Sequence, residues 1–181
     1  FLKVCKNNSW NVFGTEPDND ARNIAIKKGI VLEKDISKFS TQKFEIITLW
    51  HVLEHVENLS EYISNLNNML SDFGRLIIAV PNFKSEDAKY YKEFWAAFDV
   101  PRHLWHFSQQ SIHTLFLTER MLVEKTIPMK YDSYYVSLLS EKYKNGKINY
   151  TRALFRGFIS NWKARTSSEY SSLIYVIKKQ N

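Results

Sequence analysis

His51, Glu54 and His55 stand in the order His-x-x-Glu-His. On a helix that spacing places all three side chains on one face. Two imidazoles and a carboxylate suit a first-row divalent ion, and His103 and His106 lie in a later irregular stretch that could return to the same rim. The competing reading gives Glu54 and His55 to helix-end groups and leaves His51 lining a pocket. The same string matches the inverted zinc-protease pattern, but a protease of that kind needs a long helix and a third distant ligand. Here the triplet falls on the first turn after an apolar run, which argues against a zinc hydrolase.

Two further carboxylates stand where chemistry is done in sheet proteins. Glu16 ends an alternating segment at Glu16-Pro17, and a carboxylate there can accept hydrogen bonds from both hydroxyls of a ribose. Asp35 follows the next apolar segment, where it can meet an exocyclic amine or serve as a turn or helix cap. Arg102, His103, Trp105 and His106 form a basic and aromatic cluster that either faces a substrate or packs its own loop.

The elements that must position these residues are legible from periodicity. Residues 44–49 form an apolar run that stops at Trp50-His51, Leu59, Tyr62, Ile63, Leu66, Met69 and Leu70 recur at helical steps, and residues 75–80 form a second apolar run ending at Pro81-Asn82. The unit reads as β-α-β with strands buried on both faces. Ligands in open parallel sheets sit at the carboxyl ends of strands, which places Trp50, His51, Pro81 and Asn82 on the functional rim. Ahead of this unit, residues 11–16 and 30–32 read as short strands around a helix capped by Asp18. Asp72-Phe73-Gly74 reads as the end of the helix that starts near Leu59. Beyond the unit, residues 85–98 read as a helix, Ser108 caps another, residues 121–127 and 171–177 read as strands, and residues 131–143 and 150–163 as helices. The alternation predicts an α/β, doubly wound, mainly parallel sheet with an antiparallel strand near the C-terminus. Residues 1–181 are expected to form a single domain, with 84–108 and 131–163 as substrate-side insertions.

Composition bounds the function. The 181 residues include 44% apolar and 15% aromatic side chains, enough for one filled core. The net charge of +6 is scattered, which favours a solvated basic surface over a nucleic-acid stripe. A single cysteine, Cys5, excludes an intramolecular disulfide framework. The sequence has no run approaching a membrane span, so the expected location is the cytoplasm. The chain opens on Phe1 inside what reads as a helix, and the expectation is an N-terminally truncated sequence.

Glu16-Pro17-Asp18, the segment Leu49-Trp50-His51-Val52-Leu53-Glu54-His55-Val56, the run from Gly74 to Asn82, and Pro101-Arg102-His103-Leu104-Trp105-His106-Phe107-Ser108 together resemble class I S-adenosylmethionine-dependent methyltransferases. The nearest branch is similar to the bacterial ubiquinone-biosynthesis O-methyltransferases. The resemblance implies a seven-stranded Rossmann-like sheet in which Glu16, with Pro17, holds the cofactor ribose, Asp35 and Ile36 flank the adenine, and Trp50 and His51 border the methyl donor. The family's first strand and glycine-rich loop would precede Phe1, so the chain alone is expected to be inactive. The acceptor is expected to be a small molecule bearing a hydroxyl, with His51 as first candidate for the base and His103 as second. Some relatives carry Glu-x-x-Glu-His and a later histidine that hold a divalent metal. Here His51 replaces the first glutamate, while Glu54, His55 and His103 match. A metal-assisted reaction using His51, Glu54 and His55 is the alternative, and a non-catalytic partner-binding domain of the same fold is the other. A nicotinamide oxidoreductase has no role for the Trp-His-Val-Leu-Glu-His segment.

Overall fold

The computed structural model describes residues 1–180. Two compact units divide the chain, Phe1–Lys43 and the remainder from Phe44.

The first unit contains helices α1 (Leu2–Asn7) and α2 (Asn19–Lys27) and a 3₁₀ turn, Ile36–Phe39. Asp18 caps α2 by accepting from the Ala21 N–H at 2.7 Å, as its position predicts. The strands predicted at 11–16 and 30–32 do not form a ladder. They shrink to one parallel bridge, Thr15 to Glu33, made by Glu16 N–H to Glu33 O and Glu33 N–H to Gly14 O, each 2.9 Å. The physical reason lies next door: Pro17 has no N–H to extend the pairing.

The second unit is an α/β structure around a four-stranded sheet of β1 (Phe44–Trp50), β2 (Leu70–Pro81), β3 (Met121–Pro128) and β4 (Ser172–Lys179), in the order β1-β2-β4-β3. β1 runs parallel to β2, and β4 runs antiparallel to both β2 and β3. Three strands therefore share one direction and the C-terminal strand opposes them, the arrangement predicted for a Rossmann-like methyltransferase sheet. Among the described residues the sheet has these four strands, not the seven that the resemblance implies.

Helix α3 (Leu59–Met69) buries Leu59, Ile63, Leu66 and Met69. That stripe at three- and four-residue steps is what fixes it on the sheet, and the Asn58 side chain caps it on the Glu61 N–H. The helix ends at Met69, earlier than Asp72-Phe73-Gly74 suggests. Residues 71–74 instead bulge from β2: Phe44 pairs with Leu70, and Ile46 already pairs with Arg75. Phe73 projects from this bulge, 86% exposed. The predicted helix over 85–98 is broken into α4 (Glu86–Tyr91) and two 3₁₀ turns, Lys92–Phe94 and Ala96–Phe98. Lys92, at φ +52°, marks the first break, extended Trp95 the second, and left-handed Asp99 ends the last turn. Helix α5 (Gln109–Thr118) carries a reciprocal cap between Ser108 and Ser111. The helices α6 (Asp132–Asn145) and α7 (Tyr150–Ser167) pack side by side.

A satellite core sits over α4, the 3₁₀ turns and α6, built from Ala88, Tyr91, Trp95, Ala96, Ala97 and Val136. Its buried carboxylates are paired. Buried Asp87 accepts from Trp95 Nε1 at 2.8 Å, Ser160 Oγ at 2.6 Å and Ser171 Oγ at 2.7 Å, tying α4 to α7 and to the start of β4. Buried Glu141 accepts from the Tyr91 hydroxyl at 3.1 Å and Asn145 Nδ2 at 2.9 Å. Three donors on one buried carboxylate offset much of the cost of removing it from water.

Candidate functional site

The rim at the carboxyl ends of β1 and β2 is where the sequence motifs converge. His51 follows β1 directly, and its N–H donates to Ala79 O of β2 at 3.0 Å. The pairing therefore runs to the very end of the strand before the chain turns away. The turn requires a left-handed backbone at His51, φ +53°, a conformation a non-glycine residue adopts only when its surroundings hold it.

Two carboxylates hold it. His51 Nδ1 lies 3.1 Å from Glu54 Oε1, and Nε2 lies 3.4 Å from Asp132 Oδ2 at the start of α6. With Asp132 first and Glu54 second favouring the charged ring, the His51 pKa is pushed up to about 9. The imidazole is an imidazolium at neutral pH. The Asp132 contact is invisible in the sequence, because Asp132 stands beyond every motif and reads there as an ordinary acidic residue at a helix start.

The expected helix over His51 to His55 is a single 3₁₀ turn, Leu53–His55, separated from α3. The turn is pinned from the opposite side by residues 102–106. Glu54 O accepts from the Leu104 N–H at 2.8 Å and the Trp105 N–H at 3.3 Å, while Trp105 Nε1 donates to Val56 O at 2.7 Å. A parallel bridge between Asn82 and Phe107 anchors the end of the same loop beside β2. This loop, unassigned by periodicity, is held by backbone and indole contacts that no spacing rule reveals.

The pinning brings Glu54, His55 and His103 together, each offering one ligand atom, with those atoms within 4.8 Å of one another. His51 is not a member of this cluster, and neither is His106, whose Nε2 bonds to Phe98 O at 2.9 Å. The histidine tautomers follow from their partners. His55 Nδ1 lies 2.9 Å from Arg102 O, and His103 Nδ1 lies 2.8 Å from Ala97 O. A carbonyl only accepts, so both Nδ1 atoms carry a proton, and in a neutral ring so oriented Nε2 presents the lone pair. The two rings meet edge to face with centroids 4.7 Å apart. His103 Nε2 faces Glu54 Oε1 at 4.0 Å and Asp99 Oδ2 at 3.9 Å. Burial pushes the His103 pKa down, which keeps that ring neutral. Glu54 is buried at 1% exposure, and its Oε2 has no hydrogen-bond partner among the described residues.

The other sequence candidates are not members of this cluster. Trp50 is the last residue of β1 and 40% exposed. In the first unit, Glu16 Oε1 accepts from the Asp18 N–H at 3.0 Å, across Pro17. Asp35 accepts from the Ser37 N–H at 2.7 Å and caps the turn beginning at Ile36. That backbone donor pulls the Asp35 pKa down.

Comparisons with solved structures return the same architecture. Over 88% of this chain and 38% of its own, the mitomycin 7-O-methyltransferase MmcR aligns with TM-score 0.55 and 11% identity. A S-adenosylmethionine-dependent methyltransferase from Thermotoga maritima, described as a possible histamine N-methyltransferase, aligns over 93% of this chain and 72% of its own with TM-score 0.59 and 15% identity. The phosphoethanolamine N-methyltransferase 2 of Haemonchus contortus, solved with phosphomonomethylethanolamine and S-adenosylhomocysteine, aligns over 99% and 46% with TM-score 0.62 and 9% identity. The chain thus spans from 38% to 72% of the length of these proteins. A search of curated proteins finds no significant match. At such low identities the shared feature is the fold, and it is the sequence that assigns the family: residues 1–119, which contain Glu16, the Trp50 to His55 turn and the His103 loop, match the methyltransferase domain, and the chain belongs to that family.

Proposed function

We propose that the chain is the catalytic part of a S-adenosylmethionine-dependent methyltransferase that acts on a hydroxyl of a small molecule, with a divalent cation held by Glu54, His55 and His103. The observation that carries the metal is the convergence of three potential ligand atoms, one each from Glu54, His55 and His103, within 4.8 Å of one another. Each histidine is fixed through Nδ1 by a backbone carbonyl, the outer-shell arrangement that orients metal-binding imidazoles, and the buried Glu54 Oε2 has no hydrogen-bond partner among the described residues. The donor set, two nitrogens and a carboxylate, suits a first-row divalent ion. Such an ion would lower the pKa of an acceptor hydroxyl and fix its orientation.

S-adenosylmethionine, when bound, supplies an electrophilic methyl group, and the protein's task is alignment of the acceptor plus removal of its proton. Glu16 and Pro17 are proposed to take the ribose, Asp35 and Ile36 to flank the adenine, and Trp50 and His51 to border the donor end. The ribose role fits an intermediate-exposure carboxylate held from one side by Asp18. His51, already protonated between Glu54 and Asp132, is suited to orienting an anionic or polar group and not to taking a proton. His103, neutral with a bare Nε2, is the better base in a metal-free reaction.

Two titrations test this. Adding S-adenosylhomocysteine to the full-length protein should raise its melting temperature, and absence of both heat and thermal shift would remove the methyltransferase reading. Adding Mn²⁺ to chelator-treated protein should give saturable binding that weakens at least about tenfold in Glu54→Gln and in His103→Ala. Equal Mn²⁺ binding in all three proteins would instead leave His103 as a base.

A further inference from the structure

Helix α7 is turned the unusual way round. The residues it buries are Ala153, Gly157, Ser160 and Ala164, all small. Those it exposes are Leu154 at 52%, Phe155 at 59%, Phe158 at 56% and Trp162 at 59%. An ordinary surface helix of a soluble domain does the reverse. The small face is demanded by packing. A Cβ on Gly157 would stand 2.6 Å from Tyr134 Cδ1 and 3.1 Å from Ser133 O, so α6 and α7 approach too closely for larger side chains between them. The close contact is secured by Ser133 Oγ donating to Gly157 O at 3.2 Å and by Asn161 Nδ2 donating to Lys130 O at 2.8 Å. Leu154, Phe158 and Trp162, at successive four-residue steps, are thereby committed to one outward stripe with Phe155 beside it.

Charge says what the stripe meets. Residues 142–167 contain seven lysines and arginines and no acidic residue. Lys142, Lys144 and Lys147 are exposed in and just before the connection leading into α7. On the flank of the stripe, Arg152 and Lys163 keep 47% and 50% of their side chains exposed while leaning toward Glu141 and Glu86. A stripe of Trp, Phe and Leu beside a band of cations, with no carboxylate on the helix, is the composition of a helix that lies in the plane of a bilayer interface. Exposed basic residues near such a surface are drawn to anionic headgroups. A second copy of the chain is disfavoured as occupant, because two acid-free helices would have to lie against each other.

We propose that the outward face of α7 docks this protein on the surface of an anionic phospholipid bilayer, with Phe158 and Trp162 entering the acyl boundary and the flanking cations on the headgroups. The inference is independent of the reaction assigned to the rim. Among the described residues no helix is long and apolar enough to cross a membrane, and the attachment proposed is peripheral.

Flotation of the full-length protein with phosphatidylcholine vesicles, with and without phosphatidylglycerol, tests it. The expected result is binding only when phosphatidylglycerol is present, falling as salt is raised, and weakened about tenfold or more by the Phe158→Ser, Trp162→Ser pair. Phe73→Ser, which removes a still more exposed aromatic ring from the β2 bulge, should leave binding unchanged. Brominated acyl chains should quench tryptophan fluorescence in the native protein and much less in Trp162→Phe, which keeps a ring at the position. Absence of flotation, equal flotation of the double variant, or quenching that survives Trp162→Phe overturns the proposal. A dimer in solution that the double variant dissociates also overturns it, by giving the face to a second copy. So does retention on DNA or on an acidic protein, lost in the double variant, without vesicle binding.

Discussion

The two compact units of this chain are held together by different means. From Phe44 onward, large apolar side chains are sealed from water: Trp95, Tyr91, Tyr175 and Phe116 are each at most 1% exposed. In Phe1–Lys43, α1 and α2 bury no residue, and Ile30 is the one buried hydrophobic side chain among the described residues there. That unit relies on local polar contacts: the Asp18 cap, the Glu16 contact with Asp18, the Asp35 cap and a single bridge. Helices as short as these are marginal without tertiary packing. The difference bears on function. The candidate cofactor carboxylates Glu16 and Asp35 sit on locally held turns, while the Glu54, His55 and His103 cluster is fixed to a packed sheet by bonds from both sides.

The contrast is tested most severely by deleting a ring from each unit. Trp95→Ala should cost about 3–5 kcal/mol of global stability in urea unfolding, because it empties the satellite core and takes a donor from buried Asp87. Phe13→Ala, at a ring that is 47% exposed and meets Phe39 edge to face, should cost under about 1 kcal/mol. Comparable losses for the two variants would mean that the first unit has a core after all.

A smaller effect, about 1–3 kcal/mol, is expected from Gly157→Ala. Alanine is favoured over glycine within a helix by about 1 kcal/mol, so intrinsic propensity predicts a gain. The close approach of Tyr134 and Ser133 predicts a loss that outweighs it. Unfolding that shows α7 stabilised would refute the tight α6 and α7 contact and the outward commitment of the apolar stripe.

How much of this was legible in the sequence differs between the same two regions. In the second unit, periodicity carried the prediction: β1, α3, α5, β3, α6, α7 and β4 all form close to the residues predicted for them, but β1 is not buried on both faces as its apolar run suggests, since Leu49 is its one buried residue. It failed where a local signal had two meanings. Asp72-Phe73-Gly74 reads as a helix stop and is a strand bulge, and the aromatics of residues 85–98 keep no single helical register because they pack a separate core. In the first unit, one short alternating segment and one short apolar segment read as strands, and only one bridge survives next to Pro17. At the site, residue types located Glu54, His55 and His103, but their meeting depends on the Leu104 and Trp105 backbone contacts to Glu54. The Asp132 contact to His51 depends on the docking of α6, and nothing local in the sequence signals either.

The smallest expected effect separates the units most cleanly, because it uses the same chemistry in each. Ser108 and Asp18 both cap a helix by accepting from a backbone N–H three residues on. Removing such a cap costs about 0.5–2 kcal/mol. In Ser108→Ala the loss should appear in full in global unfolding, since α5 buries Ile112 and Phe116 and cannot open without exposing them. In Asp18→Ala the same local loss should leave the urea midpoint almost unmoved. A helix with no buried residue can open while the sheet of the other unit stays closed, and its amides then exchange through that local opening. The measurement is native-state hydrogen exchange: α2 amides should exchange about three- to thirty-fold faster in Asp18→Ala, the kinetic equivalent of the cap's free energy, while those of β2 keep their native rates. If β2 amides accelerate with them, the two units unfold together, and the local polar contacts around Glu16 and Asp35 share the stability of the packed sheet.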